Sequence, residues 1–237
     1  MPANLVFLPG LLCDQTVWSE QLNAFPDSRC LVADYGELDS IEAMAQQVLA
    51  TSPEEFVLVG HSMGGRVALE VARLAPERVS HLVLLDTGYQ ARSEGSAGEQ
   101  ERAGRMALLG LAQSQGMRAV GEKWVQGMVH PERLDQPEFI ELILAMIEAK
   151  TPAIFAAQIH TLLNRPDATQ VLQQLTCPTL LMCGREDSWS PLARHQDMAQ
   201  LCPTAELAVI EHSGHMSTME QPAAVNQVLA DWLTSHH

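Results

Sequence analysis

No run of about 20 apolar residues occurs anywhere in the 237-residue chain, so no segment has the length to cross a bilayer as a helix. The opening Met-Pro-Ala-Asn lacks a basic n-region, a long apolar run and a small-residue cleavage site, and is not expected to be a signal peptide. Basic side chains are scarce. Fourteen Lys and Arg stand against 29 Asp and Glu, a formal net charge of -15, which repels phosphate backbones and anionic lipid head groups over a Debye length. Nucleic acid and membrane surfaces are therefore not expected partners. Five cysteines, Cys13, Cys30, Cys177, Cys183 and Cys202, are odd in number and lack the paired spacing of a zinc site. They fit reduced thiols in a cytoplasmic setting. Internal repeats and low-complexity segments are also missing. What the chain does have is 46% hydrophobic content, enough for one sizeable core in a single α/β domain carrying an insertion.

Short apolar runs alternate with helical spacing in the first third of the chain. Asn4 to Leu8, Cys30 to Ala33, Phe56 to Val59 and His81 to Leu85 read as strands. Val17 to Phe25, Ile41 to Ala50 with Ser40 as its cap, and Gly64 to Leu74 read as the helices between them. Such alternation predicts a parallel sheet with helices on both faces. From 88 to 167 strand character vanishes, and Gly98 to Gln115, Met117 to Val129, Pro137 to Lys150 and Pro152 to Asn164 read as helices dense in Met and Leu. The sheet resumes at Thr179 to Cys183 and Ala205 to Ile210, with helices at Pro191 to Leu201 and Pro222 to Leu233 and a tail from Ser235 expected to fray.

The sharpest local signal is Gly60-His61-Ser62-Met63-Gly64-Gly65. A G-x-S-x-G pentapeptide between a buried strand and a helix puts a serine hydroxyl on a tight turn at the sheet edge, where the glycines allow close backbone approach. A serine hydroxyl is a poor nucleophile unless a base takes its proton and a carboxylate orients that base. His215, in the loop past the last strand, and Asp187, in the loop past the strand before it, occupy positions from which they could do so. Asp86 also follows a strand and is the rival acid. His212 beside His215 supplies two metal ligands without a third, His61 reads as structural, and no cluster implies a metal or an organic cofactor.

Together with Pro9-Gly10 and its following loop, Trp18, Gly184 with Asp187 and Pro191, and Gly214-His215 followed by Glu220 and Pro222, these residues make the chain resemble the α/β-hydrolase fold superfamily over essentially its whole length. The resemblance implies a three-layer fold with a mostly parallel, shortened sheet of about six strands, a core of 1–87 and 168–237, and a helical cap of 88–167. It implies Ser62 as nucleophile, Asp187 as acid and His215 as base, with the backbone N–H groups of Leu11 and Met63 as the oxyanion hole. Pro9 stands where similar enzymes usually have a histidine, which leaves open what braces that loop.

The activity so implied is cleavage of a small apolar carboxylic ester or thioester through an acyl-enzyme, by a carboxylesterase-type enzyme acting as a monomer or homodimer. Leu12, Trp189, Met216, Met106 and His160 are the expected pocket residues. Enzymes with the same triad that cleave carbon–carbon bonds or eliminate a small acid are the alternative. They need groups for anionic substrates, for which the cap offers Arg102, Arg105, Arg118 and Arg133, residues that also read as exposed helix-face charges. A non-catalytic ligand-binding relative is the alternative of another class.

Overall fold

The structure is a computed structural model and describes residues 4–236; Met1 to Ala3 and His237, part of the terminal readings above, lie outside the described residues. Six strands, β1 (Asn4–Leu8), β2 (Arg29–Val32), β3 (Phe56–His61), β4 (Val79–Leu85), β5 (Thr179–Gly184) and β6 (Ala205–Ile210), form one sheet in the order β2-β1-β3-β4-β5-β6. Every pairing is parallel. Between them run α1 (Ser19–Ala24), α2 (Ile41–Thr51), α3 (Met63–Leu74), α4 (Gly95–Gln115), α5 (Met117–Met128), α6 (Pro137–Glu148), α7 (Pro152–Leu163), α8 (Thr169–Gln174) and α9 (Leu192–Leu201), followed by α10 (Ser217–Glu220) and α11 (Pro222–Ser235).

A parallel sheet buried on both faces needs apolar residues at successive strand positions, because alternate side chains point to opposite faces. Leu5, Phe7, Val57, Val59, Val83, Leu85, Leu180 and Met182 pack on one side with Trp18, with α11 residues and with Val120, Ile143 and Phe155 from the helices after β4. Val6, Leu8, Leu58, Leu82, Leu84 and Leu181 pack on the other with Met44, Val48, Val67, Val71 and Met198. The strand order reverses between β1 and β3, and it is at the carboxyl ends of strands flanking such a switch point that open parallel sheets leave a crevice.

Several local expectations need correction. The helix expected over Val17 to Phe25 is split into a 3-10 turn at Gln15–Trp18, capped by the Asp14 side chain on Thr16 N, and the short α1. The six-residue α8 and four-residue α10 were not foreseen, being too short to show a helical period. The tail expected to fray is helical through Ser235, and His236 Nε2 lies 3.0 Å from Glu206 Oε1. Most of the Met and Leu in α4 to α6 serve as core: Leu109, Met117, Met128, Leu144 and Met146 are buried, whereas Met106 and Leu142 are 45% and 55% exposed.

Candidate active site

Ser62 sits between β3 and α3 at φ 54 and ψ -116, a conformation that a residue with a β-carbon adopts only when its surroundings impose it. They do so from three sides. Ser62 N donates to Leu85 O at 2.9 Å, Thr87 Oγ1 donates to Ser62 O at 2.6 Å, and a β-carbon on Gly64 would come within 2.0 Å of Leu8 O. A side chain at position 64 would therefore drive α3 off β1.

Asp187 and His215 arrive from the ends of β5 and β6. Ser62 Oγ is 2.8 Å from His215 Nε2, and His215 Nδ1 is 2.8 Å from Asp187 Oδ2. Asp187 Oδ1 also accepts from Trp189 N at 2.8 Å and Ser190 N at 2.9 Å. Burial alone would raise the Asp187 pKa, but His215 and these two backbone donors hold it below the usual carboxylate value. Burial alone would lower the His215 pKa, and Asp187, with Asp86 and Glu220 behind it, raises it above an ordinary histidine. A carboxylate kept ionised thus fixes the Nδ1–H tautomer and leaves Nε2 as acceptor for the serine proton.

Other carboxylates hold the loops. Glu220 Oε1 accepts from Gly214 N and Met216 N, and its Oε2 from His130 N, clasping the His215 loop to the loop after α5; His215 N itself donates to Met128 O at 2.8 Å. Glu186, beside Asp187, accepts from Ser213 N. Asp86 does not reach His215. Its Oδ1 accepts from Gly184 N at 2.8 Å and its Oδ2 from the Ser217 hydroxyl, tying the Asp187 loop to the His215 loop, and burial followed by the charge of Asp187 pushes its pKa up to about 7. His61, pushed down to about 3 chiefly by burial, is neutral and donates from Nε2 to the His215 carbonyl at 2.7 Å. Asp86, Cys183 and Asp187 bring three possible metal donors within 4.8 Å of one another. Both aspartates are engaged as described, and burial pushes the Cys183 thiol pKa well up, so it stays protonated.

Leu11 and Met63 border the cavity beside Ser62. Met63 opens α3, where the first N–H groups have no intrahelical partner. Leu11 is in a turn closed by Cys13 N donating to Gly10 O, with Leu12 at φ 60. Two side chains from the segment after β4 brace this loop: Gln158 Oε1 on α7 accepts from Leu12 N at 2.9 Å, and Lys150 Nζ, between α6 and α7, lies 3.1 Å from Asp14 Oδ2.

The cavity over Ser62 has a volume of about 680 Å³ and lies between the strand-end loops and α4, α5 and α7. Trp189 and Met216 line it as expected. Leu12, Met106 and His160 are not among its lining residues. Leu12 is turned into the core, Met106 faces outward from α4, and the exposed His160 stands on α7 beside Asn164. Of the four arginines singled out in the sequence only Arg105 reaches the cavity, joined by Arg66, Arg165 and Arg194, which pattern reading did not single out. Arg118 pairs with Glu141 and Glu148 on the surface, and Arg133 donates to the Glu220 carbonyl.

A strand-turn-helix serine, a carboxylate and an imidazole thus come together from the ends of β3, β5 and β6, and the family model described as alpha/beta hydrolase fold matches residues 8–222. The chain belongs to the α/β-hydrolase fold family. It is 26% identical to the 2-succinyl-6-hydroxy-2,4-cyclohexadiene-1-carboxylate synthase of Klebsiella pneumoniae, over 98% of this chain and 94% of that protein. To the pimeloyl-[acyl-carrier protein] methyl ester esterase of Nitrosomonas europaea it is 28% identical, over 78% of this chain and 74% of that one. A solved esterase from Thermogutta terrifontis, with malate bound, superposes with a TM-score of 0.87 at 28% identity, covering 100% of this chain and 91% of the other. Among the described residues no helix is long and apolar enough to cross a membrane.

Proposed function

We propose that this protein is a serine hydrolase that cleaves a carboxylic ester or thioester through an acyl-enzyme on Ser62. The observation that carries the reading is the unbroken chain of hydrogen bonds from Ser62 Oγ through His215 to Asp187 at 2.8 Å each. His215 Nε2 takes the serine proton as Oγ attacks the carbonyl carbon, and Asp187 stabilises the imidazolium that forms. The N–H groups of Leu11 and Met63 face the developing oxyanion. The proton then passes from His215 to the leaving alkoxide, and water, deprotonated by the same imidazole, releases the acid.

The segment 88–167 acts as the cap that closes this cavity and sets what enters it, and 1–87 with 168–237 form the hydrolase core. Ester cleavage is supported by the esterase among the solved neighbours and by the methyl ester esterase among the relatives. The five free thiols suit a reducing cytoplasm. The test is a fluorophosphonate label followed by peptide mapping, with turnover of short-chain aryl esters measured against a vinylogous diketone. Label on Ser62 and ester turnover are the expected result. A folded protein that takes no label would point to a binding role instead, and a diketone turned over far better than any ester would defeat the esterase reading.

A further inference from the structure

Five cationic side chains, Arg66, Arg105, Lys123, Arg165 and Arg194, line the cavity against one carboxylate, Glu101. In a chain of net charge -15 the cavity has the opposite sign to the rest of the molecule. Glu101 is already committed: it accepts from Arg165 Nη1 and Nη2 at 2.6 and 2.9 Å and from Arg105 Nε at 3.0 Å. Asp167, whose carboxyl also feels Arg66, is held by Thr169 N and Ala91 N.

Arg66 and Arg194 have no carboxylate in direct contact, although Asp167 and Glu101 act on Arg66 from further off. Arg66 Nη1 donates to Gln90 O at 2.8 Å, and Arg194 Nη1 to Trp189 O at 2.9 Å. Among the described residues no carboxylate lies within 4.0 Å of either guanidinium. Carbonyl oxygens occupy donors but leave the charge unbalanced. The two groups converge over Gly88, where a β-carbon would lie 3.0 Å from Arg66 Nη2 and 3.3 Å from Arg194 Nη1. Arg66 is also four residues after Ser62, one turn of α3 and about 6 Å along its axis from the nucleophile. Burial first, then the charges of Arg165 and Arg194 against the opposing charge of Glu101, push the Arg66 pKa down to about 9; an incoming anion would offset both the burial and the neighbouring positive charge.

We propose that Arg66 and Arg194, with Arg165 beside them, form an anion subsite, and that the substrate is a half-ester of a short dicarboxylic acid whose free carboxylate binds there while its ester carbonyl lies at Ser62. The proposal rests on the ester-cleaving reading of Ser62. The serine oxygen forms a bond to the ester carbonyl carbon, the bond from that carbon to the alkoxide oxygen breaks, and the serine proton leaves with the alcohol. Water then cleaves the acyl-enzyme to a dicarboxylate, with one further proton released.

The test compares kcat/KM, followed by pH-stat, for monoethyl glutarate and monoethyl adipate against ethyl pentanoate and diethyl glutarate. The wild-type protein should prefer the half-esters by about tenfold or more. Arg66→Gln or Arg194→Gln should cut that preference by about tenfold to a hundredfold, the loss expected for a charge-assisted hydrogen bond, mainly through KM. Arg66→Lys should restore part of it. Calorimetric titration of glutarate into the Ser62→Ala protein reads the subsite without turnover: binding there that Arg66→Gln abolishes supports the anion subsite, and if it is found with no ester cleaved, the subsite stands while the half-ester substrate falls with the esterase reading. Ester turnover with no preference for the half-esters would overturn the subsite and leave the esterase reading standing. Failure of the Ser62→Ala protein to bind glutarate would also overturn it.

Discussion

Two regions meet at the cavity, and they shape it differently. Ser62, Asp187 and His215 each stand in a short loop at a strand end and are held by backbone groups, Leu85 O at the end of β4, Trp189 N and Ser190 N within the Asp187 loop, and Met128 O at the end of α5 respectively. Arg105, Trp124, Leu162 and Arg165 instead come from or beside α4, α5 and α7, whose rotation about their own axes decides which residue faces inward. On α4 this puts Arg105 on the cavity wall and leaves its neighbour Met106 in solvent. The first region tolerates little rearrangement because each of its three residues is held by several hydrogen bonds at once. The second can change what it presents by a small turn of a helix, so changes there should tune the substrate and changes in the loops should abolish the chemistry.

The largest expected effect lies in the loops. Ser62→Ala should lower kcat by on the order of 10⁶-fold, measured on whichever ester proves best, with the unfolding transition essentially unmoved. A loss of less than tenfold would break the division between chemistry and tuning at its root. Asp187→Asn should cost on the order of 10⁴-fold, because an amide favours the wrong histidine tautomer. Asp86→Asn, a change of the same kind a short distance away, should cost less than about tenfold, because Asp86 ties loops together and does not touch the base. Comparable losses from the two would mean that the acid role is shared.

The pH dependence separates them further. Activity needs neutral His215, whose pKa is raised, so kcat/KM should rise through a pH above the ordinary value of about 6.5 and then level off. Removing the charge of Asp187 should move that limb to lower pH. Asp86, with its pKa pushed up to about 7, binds more protons in the folded than in the unfolded state, so its contribution to stability falls as pH rises from about 4 towards 7. Asp86→Asn should flatten that fall, and melting temperatures across the range would show it.

The same division governs what pattern reading recovers. The elbow, Asp187 and His215 are legible because each depends on a few adjacent residues following an apolar run, and the sheet brings the ends of such runs together regardless of what lies between. The sheet itself was legible for the same reason, down to its count of six strands. Arg66 was missed although it stands four residues from Ser62, because a cation on an otherwise apolar helix reads as a solvated edge. Only packing against Gly88 and Gln90 turns it inward. Arg165 and Arg194 belong to segments whose spacing in the chain says nothing of their meeting, and Arg102, Arg118 and Arg133 were as plausible in sequence as Arg105. Gln158, 146 residues from its partner Leu12, leaves no local signal at all.

That long contact is one of the places where the two regions are joined, beside His215 N on Met128 O and His130 N on Glu220, and Gln158→Ala tests this joint. Leu12 N is buried and Gln158 Oε1 accepts its hydrogen bond, so truncation leaves a buried donor unpaired, a cost of about 1–3 kcal/mol. Urea unfolding should register that loss. If the turn at Gly10 to Cys13 relaxes as a result, the N–H of Leu11 shifts, and kcat should fall about tenfold for a donor displaced but not removed. A stability loss with kcat unchanged would show that the loop holds the donor without help from α7.

The smallest effect should come from Arg118→Gln. Arg118 was as good a candidate for an anionic substrate as any arginine of the helical segment, but its guanidinium pairs with Glu141 and Glu148 at 2.7 and 3.1 Å, all three in contact with solvent. Exposed pairs of this kind are screened and cost side-chain entropy, and the residue does not border the cavity. Its replacement should change kcat/KM for half-esters by less than about twofold, within what a distant surface charge does at physiological ionic strength. A larger loss, shrinking as salt is added, would mean that the helical segment attracts its anion through the field of its whole surface. The inward-facing arginines would then be part of a gradient and not a discrete subsite, and the contrast between Arg66 and Arg118 would be one of degree.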